Sequence, residues 1–263
     1  MASFSVNGVN LYYEVHGSGE PLLLIAGLAS DSQSWLPVVE ELASYYQVIL
    51  PDNRGVGRTE PQDVEISIKA IADDCMALLS YLGFSSANIL GHSMGGFAAL
   101  DCAIRYPERV SKLILESTSV FCSPRNTALF SDWYSYLQNG MALDQWFRNI
   151  FYWIFSEGFF NDIGALQNAV RSAVEYPYPQ TVNAFGDQVK AIEAFNCQEE
   201  LKNITSKTLA VFGREDILFS PDENARVLNR IPGIVVSTVE HAAHSVHMEK
   251  PDEFVRIVRN FLI

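Results

Sequence analysis

Ala87-Asn88-Ile89-Leu90-Gly91-His92-Ser93-Met94-Gly95-Gly96-Phe97-Ala98-Ala99-Leu100 decides how the rest of the chain is read. An apolar run ends in Gly-x-Ser-x-Gly, and a small-residue segment with helical composition follows. A serine at the tip of so tight a strand-to-helix turn sits in a strained backbone conformation. The residues two places either side must be small, or the helix could not pass close to the strand. The strain holds the hydroxyl above the sheet, where a base and a substrate carbonyl can both reach it.

Working outward, Phe4 to Val15 alternates about Asn7-Gly8, a hairpin signal. Short unbroken apolar runs follow at Leu22–Ile25, Tyr46–Leu50, Ala87–Leu90, Leu113–Leu115, Thr208–Phe212 and Ile234–Val239. Such runs predict strands buried on both faces, as in a parallel sheet covered by helices. Apolar residues at three-to-four spacing predict helices over Ile66–Leu82, Gly96–Tyr106, Asp222–Arg230 and Pro251–Leu262. The alternation gives a doubly wound α/β domain with a mostly parallel sheet. Between Phe121 and Phe195 it breaks. That stretch reads as helices and holds over half of the aromatic residues in under a third of the length. The predicted organisation is a core of residues 1–120 and 197–263, with a helical cap at 121–196 over the strand ends, where open α/β sheets bind ligands.

Composition narrows the function classes. A chain of 263 residues with 48% hydrophobic residues is globular, and a formal charge of -13 repels nucleic acid and anionic membrane. The expected partners are a small-molecule substrate and water. Cys75, Cys102, Cys122 and Cys197 form no Cys-x-x-Cys pair, which suits a reducing compartment. With no leader or membrane-length apolar run, the expected location is cytoplasmic, and the sequon Asn203-Ile204-Thr205 carries no weight.

A serine hydroxyl needs a base to take its proton. Of five histidines, His244 is the best placed, in the loop between the last strand and the last helix. His92 lies inside the turn, its side chain expected to point away from Ser93. His241-x-x-His244-x-x-His247 imitates a metal run but lacks the carboxylate and open position of a catalytic zinc, so no metal is expected and His241 and His247 are read as structural. The carboxylate partner of His244 is predicted to be Asp216, after the Thr208–Phe212 strand, with Glu116 as the geometric alternative. The backbone N–H groups of Met94 and Leu28 are the predicted donors to a developing oxyanion. Asp52-Asn53-Arg54-Gly55-Val56-Gly57-Arg58-Thr59 lacks a phosphate-binding pattern. It is read as a turn buttressing the Ser93 turn, with no cofactor. Trp153 is the predicted pocket aromatic of the cap, and Arg125, Arg148, Arg171 and Lys190 are the cations available to hold a substrate carboxylate.

Assembled in order, these segments resemble the α/β-hydrolase superfamily along essentially the whole chain. The carrying residues are Leu24–Leu28 with Trp35, Asp52–Thr59, Gly91–Gly96, Gly213-x-x-Asp216, and His244 with Glu249 and Pro251. The resemblance implies Ser93 as nucleophile, Asp216 as acid, His244 as base, and Leu28 and Met94 as oxyanion donors. Two departures, Ala26 before Gly27 and Ala243 before His244, remove no catalytic group but leave the reaction subtype open. Gly27-Leu28, Trp35 and the Trp146-rich cap look most like the branch of 3-oxoadipate enol-lactonases and aminoacrylate hydrolases.

The implied activity is cofactor-free hydrolysis of a small to medium ester, lactone or similar acyl compound through an acyl-enzyme on Ser93. The same triad would also serve C–C bond hydrolysis or a peracid route, and a ligand receptor with vestigial turnover is the non-enzymatic alternative. Epoxide and haloalkane hydrolases resemble this fold but place aspartate where Ser93 stands.

Overall fold

In a computed structural model that describes residues 2–263, the apolar runs form one eight-stranded sheet. Its strands are β1 (Ala2–Val6), β2 (Val9–His16), β3 (Pro21–Ile25), β4 (Gln47–Pro51), β5 (Ala87–His92), β6 (Val110–Glu116), β7 (Lys207–Gly213) and β8 (Val235–Val239). Their order is β1-β2-β4-β3-β5-β6-β7-β8. The β1–β2 hairpin joins β4 antiparallel, and every pairing from β4 through β3 to β8 is parallel. The helices are α1 (Leu36–Ala43), α2 (Ile68–Tyr81), α3 (Met94–Arg105), α4 (Pro124–Gln138), α5 (Leu143–Ile154), α6 (Ile163–Val174), α7 (Val182–Ala194), α8 (Pro221–Leu228), α9 (Val246–Glu249) and α10 (Pro251–Leu262). None of these described helices is long and apolar enough to cross a membrane.

The period-2 geometry of a strand sorts its side chains onto two cores. Leu22 and Leu24 of β3 join Val48, Leu50, Leu90, Ile114, Leu209 and Val211 under Trp35, α1 and α10. Leu23 and Ile25 join Ile49, Ile89, Leu113, Leu115 and Phe212 against α2 and α3. Each such side chain, fully withdrawn from water, contributes about 1.5–3 kcal/mol. That double coverage is why these strands read as continuous apolar runs. At β8 the reading fails. Val235 and Val236 are exposed, because β8 is the last strand in the order and pairs only with β7.

α4 to α7 leave the sheet between β6 and β7. The neck is narrow, closed by an antiparallel bridge between Phe121 and Asn196 and by a bond from the Cys197 N–H to the Val120 carbonyl (3.0 Å). Within the insertion Trp146 packs edge-on against Phe147 and Phe185, and Phe151, Leu166 and Val170 form a separate small core. The insertion roofs a cavity whose floor is the C-terminal edge of the sheet.

Candidate active site

The turn after β5 is built as its sequence requires. Ser93 has φ 54° and ψ -117°, a positive-φ conformation that a non-glycine residue adopts only at a cost of roughly 1–3 kcal/mol. Its N–H bonds the Glu116 carbonyl (2.9 Å) and its own carbonyl accepts the Thr118 hydroxyl (2.8 Å), so the end of β6 and the turn after it hold both sides of the strained residue. A Cβ at Gly91 would run into the Gly95 carbonyl, and one at Gly95 into the Ile25 carbonyl. Only glycine fits at either place.

Asp216 follows β7, and its two oxygens divide their work. One accepts the N–H groups of Leu218 and Phe219 (both 2.9 Å), which fixes the carboxyl in its turn; the other lies 3.0 Å from His244 Nδ1. An acceptor there assigns a proton to Nδ1, so that in the neutral ring Nε2 is the nitrogen free to accept one. Phe219 stacks on the His244 ring at 5.4 Å, and Asp216 and His244 are both buried. The backbone of His244 is clamped from two directions. Its N–H bonds the Ile154 carbonyl at the end of α5 (3.1 Å), and its carbonyl lies 3.0 Å from His92 Nε2.

Since a carbonyl only accepts, His92 Nε2 carries the proton. Burial, with His247 and His244 close by, holds the His92 imidazole well below the ordinary histidine range, so it is neutral. His92 borders the cavity that Ser93 lines, and its ring lies beneath the loop that carries His244.

Glu116, the alternative acid, is engaged elsewhere. One of its oxygens accepts both the N–H (2.9 Å) and the Nδ1–H (2.8 Å) of His247, and neither side chain reaches solvent. The His-x-x-His-x-x-His run is therefore split three ways. His241 is exposed beside Glu215 (3.8 Å), His244 pairs with Asp216, and His247 with Glu116. His92, Glu116 and His247 instead bring one ligand atom each within 4.8 Å of one another. Two of their nitrogens are already spent on the His244 carbonyl and on Glu116, which reads as a hydrogen-bonded network.

Met94 opens α3, so its N–H is a first-turn donor that no carbonyl of its own helix can take. Leu28 stands on the cavity wall after β3. That turn is held by Ser30 N–H on the Gly27 carbonyl (3.3 Å) and by Ala29 N–H on Gln188 Oε1 of α7 (3.1 Å). The Asp52–Thr59 loop supports this turn, with Asn53 Nδ2 donating to the Ala26 carbonyl (3.1 Å). Arg54 is committed to Asp74 by two bonds of 2.7 and 2.8 Å.

Trp153 does not line the cavity. Its neighbours Trp146, Phe147, Ile150, Phe151 and Ile154 do. At about 100° per residue these five span roughly 140° of the helix and Trp153 falls just outside that arc, where Arg125 sits 6.0 Å above its ring. Trp133, Phe130 and Phe185 complete the roof. None of Arg125, Arg148, Arg171 and Lys190 reaches the cavity; Lys190 pairs with Asp187 (2.7 Å), and Arg125 bonds the Ile217 carbonyl.

Sequence reasoning missed the seam between the insertion and the His244 loop. Glu249 accepts the Ala243 N–H (2.7 Å) with one oxygen and the N–H and hydroxyl of Ser156 (3.0 and 2.6 Å) with the other. The Glu157 N–H bonds Glu215 (3.2 Å) beside Asp216. The only sequence signal was Glu249 among the residues that carry the family resemblance.

Residues 20–251 match a family model described as the alpha/beta hydrolase fold. A protein of Rhizobium rhizogenes, provisionally named carbamate hydrolase RutD, is 27% identical and aligns over 96% of this chain and 97% of its own. Among solved structures, an enol-lactonase from Burkholderia xenovorans superposes with a TM-score of 0.89 at 21% identity, covering 99% of both chains. A thermophilic esterase from Thermogutta terrifontis gives 0.87 at 23%, covering 99% of this chain and 96% of its own.

Proposed function

This chain belongs to the alpha/beta hydrolase fold family, and on that premise we propose that it is a serine hydrolase of small to medium esters, lactones or similar acyl compounds. Residues 121–196 serve as its cap. The observation that carries the reading is the strained Ser93 facing the cavity that His244 also lines, with His244 Nδ1 on Asp216.

In the proposed cycle Ser93 Oγ attacks the acyl carbon and His244 Nε2 takes its proton. Asp216 holds the tautomer that makes this possible and stabilises the charged ring. The N–H groups of Leu28 and Met94 receive the oxyanion. The intermediate collapses as the bond to the leaving group breaks and His244 returns the proton to that group. An acyl-enzyme on Ser93 remains. Water then attacks it as His244 takes one of its protons, and when the acyl–Oγ bond breaks His244 gives that proton to Ser93 Oγ as the acid leaves. The apolar roof keeps other water from the reacting atoms.

The four cysteines are free, and burial pushes every thiol up, Cys197 to about 12. None competes as a nucleophile, and free thiols suit a reducing compartment such as the cytoplasm. Carbamates present the same kind of acyl carbon, and the name of the Rhizobium relative places them in the substrate panel beside esters and lactones.

Rapid mixing with a chromogenic ester tests the mechanism. A burst of released alcohol equal to the enzyme concentration is expected, absent in Ser93→Ala at unchanged circular dichroism. Linear release without a burst, together with full activity in the alanine variant, would refute it.

A further inference from the structure

The cavity over Ser93 is small, about 130 Å³. Beside it lies a larger one of about 410 Å³. The two share the lining residues Ala29, Ser30, Trp146, Phe147, Phe185 and Met248, so they lie against one another. The larger chamber runs between the Ala29–Ser34 segment and the link from α6 to α7, lined by Leu137, Leu143, Val174 and Val182 with Tyr176 and Tyr178.

Charge on these walls is one-sided. Among the described residues no lysine or arginine lines either chamber. Arg58 comes to 5.4 Å from the Tyr178 ring, but its guanidinium is committed to Asp52 (3.0 Å) and Glu14 (3.1 Å). The one carboxyl on the wall is Asp31, which accepts the Tyr176 hydroxyl and the Gln33 N–H (2.9 Å). Burial and the nearby Asp52 push its pKa up, so further negative charge is unwelcome there. A carboxylate entering this space would find no cation to pair with and would face Asp31.

We propose that the two chambers form one divided substrate site. A short group sits over Ser93, and a long, uncharged, apolar arm occupies the larger chamber. The substrate class is therefore neutral, asymmetric acyl compounds with one short side and one long side. The inference rests on Ser93 being the nucleophile.

The test uses three sets of neutral esters. One lengthens the acyl side from acetate to decanoate, one lengthens the alcohol side of acetates equally, and one lengthens both. Lengthening one side should raise kcat/KM about ten-fold or more, the worth of a few methylenes in an apolar site. The doubly long esters should fall back, and a carboxylate at the end of the favoured arm should abolish the gain.

Val182→Trp, at a partly exposed wall position that does not line the Ser93 cavity, should remove the long-arm gain and leave acetate turnover unchanged. Leu143→Trp on the same wall repeats the test should the first variant not fold. Flat series, preference for the carboxylate, or equal loss on all esters in both variants would overturn the division while short-ester turnover left the hydrolase reading standing. No turnover of any ester and no covalent labelling of Ser93 would overturn both.

Discussion

Two carboxylate–histidine pairs whose histidines stand three residues apart in this chain are chemically almost the same object. His244 Nδ1 lies 3.0 Å from Asp216 and His247 Nδ1 lies 2.8 Å from Glu116. Their surroundings differ completely. His244 lines the cavity with Ser93, whereas His247 is sealed among Trp35 (4.5 Å), His92 (4.8 Å) and Phe254 (6.1 Å). Glu116 also takes the His247 N–H near the start of α9, so it fixes backbone as well as ring. On the proposed mechanism, an acid behind a histidine is no mark of catalysis by itself. What separates the pairs is whether the far nitrogen of the ring can meet a reactant.

The sharpest way to break this comparison is to neutralise each acid in turn. Asp216→Asn should lower kcat by about ten thousand-fold, the effect of the wrong imidazole tautomer. Glu116→Gln keeps an oxygen that can accept both His247 donors. It should leave kcat within a few-fold and cost about 1–3 kcal/mol of stability, as expected for a weakened buried hydrogen bond. Steady-state kinetics and denaturant melts on both variants decide, and the reverse pattern would transfer the catalytic role to β6.

A smaller effect is expected where the insertion meets the His244 loop. Glu249→Gln leaves one acceptor oxygen for donors on two sides, and kcat/KM should fall roughly ten- to hundred-fold as His244 loses its fixed position. Ser156→Ala alone should be milder. Combined with Glu249→Gln it should add little, because both changes act through one carboxylate. Full additivity in kcat/KM would show that the seam does not act on His244.

The smallest effect concerns His92, which links the two pairs. Its pKa is depressed in the folded protein, so the unfolded chain takes up the proton first. Its contribution to stability is complete above the unfolded value of about 6.5 and is lost as the pH falls below that toward the depressed folded value. Tm should drop by about 2–4 °C more in wild type than in His92→Gln on acidification through this window. Equal slopes would mean that His92 is not held neutral.

The sequence exposed the backbone of this site more fully than its walls. Gly91, Ser93 and Gly95 are legible because close packing admits no other residues at those glycines. The β1–β2 hairpin and α10 are legible because Asn7-Gly8 and the spacing of Phe254, Val258 and Leu262 each admit one backbone. α1 went unread because only Val38, Val39 and Leu42 of its eight residues are buried. β8 misled because an edge strand can be as apolar as a central one while only one side is paired. Trp153 misled because composition shows that a helix is aromatic but not which arc faces inward. The pairing of Glu116 with His247 joins the end of β6 to the start of α9 across 131 residues, and no local pattern announces that.

The central claim is that Ser93 alone is activated, and that the pair whose histidine lines its cavity activates it. Intact-protein and peptide mass spectrometry after treatment with a fluorophosphonate tests it most directly, with labelling rates followed in wild type, Asp216→Asn and Glu116→Gln. The account predicts a single adduct on Ser93, formed at nearly the wild-type rate in Glu116→Gln and far more slowly in Asp216→Asn. An adduct on another residue, or labelling of Ser93 that Glu116→Gln slows and Asp216→Asn does not, would contradict it.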